Sequence, residues 1–125
     1  MYLLDTHALL WFLSNNPELS SRAMKAICSN VPIYVSYASF WEISIKKSIG
    51  KLILPYTAAE LIEMCRLENF ECIRVHSDDL NILENLPFIH RDPFDRLLIS
   101  EAISKNLTII TKDNNIKKYN VKILW

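Results

Sequence analysis

Five short apolar runs punctuate this sequence, and helix-like stretches separate them. The runs are Tyr2–Leu4, Pro32–Ser36, Cys72–Val75, Leu107–Thr111 and Val121–Leu124. They are rich in β-branched residues and are the length of strands buried on both faces. Parallel strands need a crossover of a dozen or more residues between them, and helices supply it. The order is β-α-α-β-α-α-β-α-α-β-α-β. It predicts an α/β fold: one domain over residues 1–125, with a central parallel sheet of about five strands and helices on both faces.

Local chemistry marks the helices. Asp5 or Thr6 caps a helix over Thr6–Leu13 that Asn15-Asn16-Pro17 ends. Ser20 or Ser21 opens a second. A third runs from Tyr37 to about Ile49 and stops at Gly50. Leu52–Pro55 is an apolar connector, and Thr57 with Glu60 matches a capping box. Ser77-Asp78-Asp79 opens a short helix that Leu86-Pro87 closes. Asp92-Pro93 reads as an N-cap followed by proline at the first helical position. The helix that starts there, to about Ser104, buries Phe94, Leu97, Leu98, Ala102 and Ile103. Ile116 to Tyr119 forms a last short helix.

Composition removes several function classes. Half the residues are hydrophobic, so the chain builds a real core. Its one glycine, Gly50, excludes Gly-rich phosphate loops and dinucleotide fingerprints. The formal net charge is zero, so any nucleic-acid contact has to be local. Lysines gather at Lys46, Lys47 and Lys51, and again at Lys112, Lys117, Lys118 and Lys122. Cys28, Cys65 and Cys72 lack the spacing of a zinc site or a disulfide framework, and read as buried reduced thiols of a cytosolic protein. No signal peptide or membrane span is visible, so a cytoplasmic location and no membrane partner are expected.

The chemistry lies in acids near strand ends. In open α/β sheets, sites form outside the carboxyl ends of the strands. Asp5 follows the first strand and Asp113 the fourth. Asp95 sits in the first turn of the helix leading into the fourth strand, and Glu42 on the helix after the second. Each has a plainer role open to it. Asp5 can cap a helix, Glu42 can complete a Ser39 capping box or pair with Lys46, and Asp113 can shape a turn. Yet Glu42 shares a helical face with Ala38, Ile45 and Ile49, and a carboxylate on a buried face needs a partner. Two like charges ~4 Å apart repel by ~4 kcal/mol at an intermediate dielectric, so acids that converge take up protons or recruit a cation. Oxygen donors without His or Cys favour Mg²⁺, or Mn²⁺. Such an ion suits phosphodiester hydrolysis, where it can polarise the phosphoryl oxygen and activate a water. His7, His76 and His90 lack metal-ligand spacing. Trp11, Phe12, Phe40 and Trp41 read as core or dimer contacts.

Leu3-Leu4-Asp5-Thr6-His7, Ser39-Phe40-Trp41-Glu42-Ile43, His90-Arg91-Asp92-Pro93-Phe94-Asp95-Arg96-Leu97-Leu98-Ile99 and Ile110-Thr111-Lys112-Asp113 resemble the motifs of PIN domains. More narrowly, they resemble the VapC-type toxins of bacterial toxin–antitoxin pairs. The resemblance implies five parallel strands, a Mg²⁺-dependent ribonuclease, a homodimer and a cognate antitoxin protein that holds the toxin inactive. It maps the acidic site onto Asp5, Glu42, Asp95 and Asp113. Asp5 and Asp95 would hold the ion, Glu42 would hold it through water or orient the nucleophile, and Asp113 would complete the pocket. Thr111 matches a polar position beside the fourth acid. Thr6, Asp92, Lys46, Arg91 and Arg96 are neighbours that could support the acids or position the RNA backbone. Two other classes compete. One is a non-catalytic RNA- or protein-binding domain whose acids are caps and salt bridges. The other is phosphotransfer through an aspartyl-phosphate on Asp5, although Asp5-Thr6-His7 lacks the second Asp such enzymes carry two residues on.

Overall fold

A computed structural model describes residues 1–125. The strands are β1 (Tyr2–Leu4), β2 (Ile33–Ser36), β3 (Glu71–Ile73), β4 (Thr108–Ile110) and β5 (Ile123–Leu124). The helices are α1 (Thr6–Leu13), α2 (Ser21–Ile27), α3 (Tyr37–Ser48), α4 (Ala58–Leu67), α5 (Ser77–Asn85) and α6 (Pro93–Lys105). A 3₁₀ turn spans Ile116–Lys118. All strand pairs are parallel, in the order β3-β2-β1-β4-β5. This is the expected sheet, covered on both faces.

Strand alternation explains why both faces are covered. Leu4, Val35 and Ile110 point to one face, where they meet Ala8 and Leu9 of α1, Ala23 of α2, Phe40 and Ile43 of α3, and Leu61 of α4. Leu3, Ile73 and Ile109 point to the other, against Leu98, Ile99 and Ala102 of α6. Each of these large side chains contributes roughly 1.5–3 kcal/mol by leaving water. The register sets Leu4 beside Val35 on one side and Ile110 on the other. Consequently β1, β2 and β4 end level with one another, and whatever follows them shares one rim.

Caps fix where the helices begin. Asp5, Ser20, Ser36, Thr57 and Asp92 each accept a backbone N–H of the helix that follows. Thr57 and Glu60 form the expected capping box. The α6 helix ends at Asn106, whose left-handed backbone (φ 52°) lets the chain turn straight into β4. Gly50 closes α3 with φ 73°, a conformation that favours glycine.

Some expectations shift. The third strand covers Glu71–Ile73 and leaves Val75 exposed, because β2 pairs with Cys72 and stops at Ile73. Cys28 is exposed, at the end of α2, while Cys65 is buried and Cys72 half-buried. The 52–55 connector is split: Leu52 and Leu54 pack on the core and Ile53 is open to solvent. Phe40 is core, whereas Trp41 lies 59% exposed with its ring 5.1 Å from that of Phe94.

Candidate functional site

The strand order reverses at β1. The chain leaves β1 toward β2 on one side, then returns over α5 and α6 to place β4 on the other. The carboxyl ends of β1 and β4 therefore flank the switch point where open α/β sheets place their sites. Asp5 leaves β1 there, and Thr111 and Asp113 leave β4.

Asp5 caps α1, where its Oδ1 accepts the Ala8 N–H at 2.7 Å. Its residue is 6% exposed. Burial pushes its carboxyl above the ordinary range, and the charge of Asp113 adds to the rise. The Thr111 hydroxyl, the Ala8 N–H and His7 work the other way. Thr111 is fully buried and accepts the Asp113 N–H at 3.0 Å, tying the two acids through one side chain. Asp113 in turn accepts the Asn115 N–H at 2.7 Å, a local turn of the kind Asp favours. Cap and turn roles are thus present alongside an acidic cluster.

Glu42 reaches the same rim from α3. Thr6, next to Asp5, has its hydroxyl 2.7 Å from Glu42 Oε1 and 3.1 Å from Ser39 Oγ. One hydroxyl carries one hydrogen, and the shorter, charged partner takes it. Lys46, one turn on, pairs with Glu42 Oε2 at 2.6 Å. Glu42 is buried as its pattern predicted, but Ile45 and Ile49 on its expected face are exposed. Ser39 forms no capping box with it, because Ser36 is the cap of α3.

Asp95 stands one turn into α6, half-buried. Burial pushes its carboxyl up to about 6, helped by the charges of Asp92 and Asp113 and opposed by a hydrogen bond from His90. His90 Nε2 lies 3.1 Å from Asp95 Oδ2. Asp92 is the N-cap: its Oδ1 accepts the N–H groups of Phe94 at 2.9 Å and Asp95 at 3.0 Å. Arg91 is exposed and forms no ion pair. Arg96 points inward, where it donates to the carbonyls of Leu86 and Pro87 and to Tyr119.

The fold therefore puts Asp113 within electrostatic reach of both Asp5 and Asp95, and Thr6, the residue after Asp5, binds Glu42. No three His, Cys, Asp or Glu side chains form a closed ligand cluster. Lys46 offsets part of the negative charge on Glu42, and His90 hydrogen-bonds to Asp95. Asp5 and Asp95 are held above their ordinary range chiefly by burial, and the charge of Asp113 adds to both rises, a repulsion that a cation would relieve. The donors are hard oxygens, and Mg²⁺ takes one or two carboxylates while keeping several waters. The residues present fit such an ion. His90 and Tyr119 carry no sequence signal as partners of Asp95 beyond the spacing of five between His90 and Asp95.

Comparisons with known proteins agree with this architecture. The chain resembles VapBC2 from Rickettsia felis, solved bound to a promoter DNA fragment, at 17% identity and a TM-score of 0.75 over 99% of this chain and 98% of that one. It resembles FitAcB from Neisseria gonorrhoeae at 17% identity and 0.70, over 100% and 97%. A third likeness is VapBC-1 from nontypeable Haemophilus influenzae, at 16% and 0.65, over 98% and 96%. No curated protein sequence matches at a significant level. The family model described as "PIN domain" matches residues 2–122. The chain, with its acids gathered around the β1–β4 switch point, belongs to the PIN domain family.

Proposed function

We propose that this protein is a Mg²⁺-dependent endoribonuclease that hydrolyses RNA phosphodiester bonds and acts as a toxin neutralised by a cognate antitoxin. The observation that carries the reading is the trio Asp5, Asp95 and Asp113. The charge of Asp113 acts on both Asp5 and Asp95 at the switch point, and these two, largely through burial, are held toward the protonated form. A structural likeness described as a toxin–antitoxin complex, from Klebsiella pneumoniae, supports the partner.

Asp5 and Asp95 would hold the ion, with Glu42 and Asp113 around it. When bound, Mg²⁺ polarises the phosphoryl oxygen and makes an attacking water more acidic. The chain's own residues do the rest. Glu42, fixed by Thr6 and Lys46, accepts a hydrogen bond from the attacking water and orients it. Asp113 keeps the pocket negative, so that a cation is required before a phosphate can approach. Lys46, 39% exposed at its side chain, and Arg91 are the cations at the rim for the RNA backbone. The zero net charge makes that contact local and salt-sensitive. No helix is long and apolar enough to cross a membrane. A homodimer acting in the cytoplasm completes the proposal.

Expression of the chain in bacteria with mapping of RNA 5′ ends tests the reading, with Asp5→Asn as control. New ends absent from the control are expected. Their absence, together with no binding of Mn²⁺, would favour a non-catalytic binding domain.

A further inference from the structure

Tyr119 belongs to none of the acidic motifs, yet its hydroxyl governs the group that holds Asp95. It follows the 3₁₀ turn and is buried. Three nitrogens surround its oxygen. The backbone N–H of His90 lies at 3.2 Å, the Arg96 Nη1 at 3.1 Å and the His90 Nδ1 at 2.8 Å. A phenolic oxygen has two lone pairs and one hydrogen. The backbone N–H and the guanidinium N–H can only donate, so together they take both lone pairs. The hydroxyl hydrogen then has one place to go, His90 Nδ1. With Nδ1 accepting, the imidazole proton sits on Nε2, and Nε2 donates to Asp95 Oδ2 at 3.1 Å.

Arg96 makes this arrangement rigid. Besides Tyr119 it grips the carbonyls of Pro87 at 2.8 Å and Leu86 at 3.3 Å, and it lies 4.8 Å from the centre of the Phe88 ring. The loop that carries His90 is thereby pinned to α6, one residue beyond Asp95. Asp95 Oδ2 is committed to His90, and no side chain or backbone group of the protein donates to Oδ1.

We propose that Tyr119 is a positioning residue for cation binding: through His90 it fixes the imidazole tautomer that orients Asp95 and presents Oδ1 to the ion. This rests on the metal-dependent reading above. A group that orients a ligating carboxylate is typically worth roughly ten- to a hundred-fold in metal affinity or activity.

Tyr119→Phe tests it, because the ring stays and only the hydroxyl leaves. Three measurements are made on the full chain: Mn²⁺ affinity, RNA cleavage and the ¹⁵N shifts of the His90 ring in metal-free protein at mildly alkaline pH. The unmodified chain is expected to show the Nε2–H tautomer. The variant is expected to mix tautomers and to lose roughly ten- to a hundred-fold in Mn²⁺ affinity and cleavage. His90→Gln, whose amide nitrogen can stand where Nε2 does, is expected to bind Mn²⁺ better than His90→Leu; this pair keeps the test open if Tyr119→Phe fails to fold. Equal Mn²⁺ affinity in Tyr119→Phe and the unmodified chain, or equal affinity in His90→Gln and His90→Leu, overturns the inference and leaves the nuclease reading standing. If the unmodified chain binds no Mn²⁺, the metal-dependent reading fails and the positioning role fails with it.

Discussion

Asp92 and Asp95 are three residues apart and do different things. Asp92 needs only an acceptor for two backbone N–H groups. Asp95 is asked for charge. Asp95→Asn is therefore expected to abolish cleavage while the melting transition persists, and undiminished cleavage in that variant would remove Asp95 from the required ligands. Glu101 makes a second case at this scale. It is fully buried on α6 with neither carboxylate oxygen hydrogen-bonded. Burial pushes it from 4.5 up to about 7; the charge of Asp79 adds to the rise and that of Lys105 opposes it. Between those values the folded chain binds a proton that the unfolded chain has lost. Stability from this group is thus full below about pH 4.5 and is lost as the pH rises through about 7. Glu101→Gln is expected to flatten that decline, leaving the variant about 2–4 kcal/mol less sensitive to the same pH rise. Denaturant melts at the two ends of the range decide it, and parallel pH profiles would refute the assignment. Such a residue is invisible in sequence: Glu101 sits on a helix where a solvated glutamate is ordinary, and only the packing of α6 on the sheet buries it. Asp5, by contrast, was legible because its place after an apolar run ties it to the end of a strand.

At the scale of elements, α6 owes its start to one side chain. Asp92→Asn keeps the acceptor and is expected to retain most activity and stability, whereas Asp92→Ala is expected to cost about 1 kcal/mol. A complete loss of cleavage in a well-folded Asp92→Asn would mean that Asp92 does more than cap. Several helix starts were readable, since caps are local chemistry: Thr57, Asp92 and Asp5 act where their neighbours say they should, whereas Ser36 caps α3 without having been singled out. Strand ends and helix faces were less readable. Val75 is as β-prone as Ile73, but only Ile73 has a partner in β2. Ile45 and Ile49 share the helical spacing of Glu42, yet periodicity says which residues share a face and not how far a covering element extends along it. That is why the burial of Glu42 was foreseen and the exposure of both isoleucines was not.

The whole molecule holds Asp5 and Asp95 at one rim under the influence of Asp113, and a ligand that binds only the folded state stabilises it. Adding Mg²⁺ or Mn²⁺ is expected to raise the thermal midpoint, by about 2.7 kcal/mol of stability at a hundred-fold excess over the dissociation constant. Chelation is expected to reverse the gain, and Asp95→Asn to lack it. A midpoint indifferent to both ions in the unmodified chain would count against a metal site. The parallel order β3-β2-β1-β4-β5 carries a further consequence, for the time course of synthesis. Leu4 has no β4 partner until Ile110 has been made, and joining ends so far apart closes a long loop before any contact rewards it. A half-translated chain has Asp5 and Glu42 but neither Asp95 nor Asp113. Under the proposed ribonuclease reading, this delay means that no competent form exists before Asp113 has left the ribosome and β4 has paired with β1.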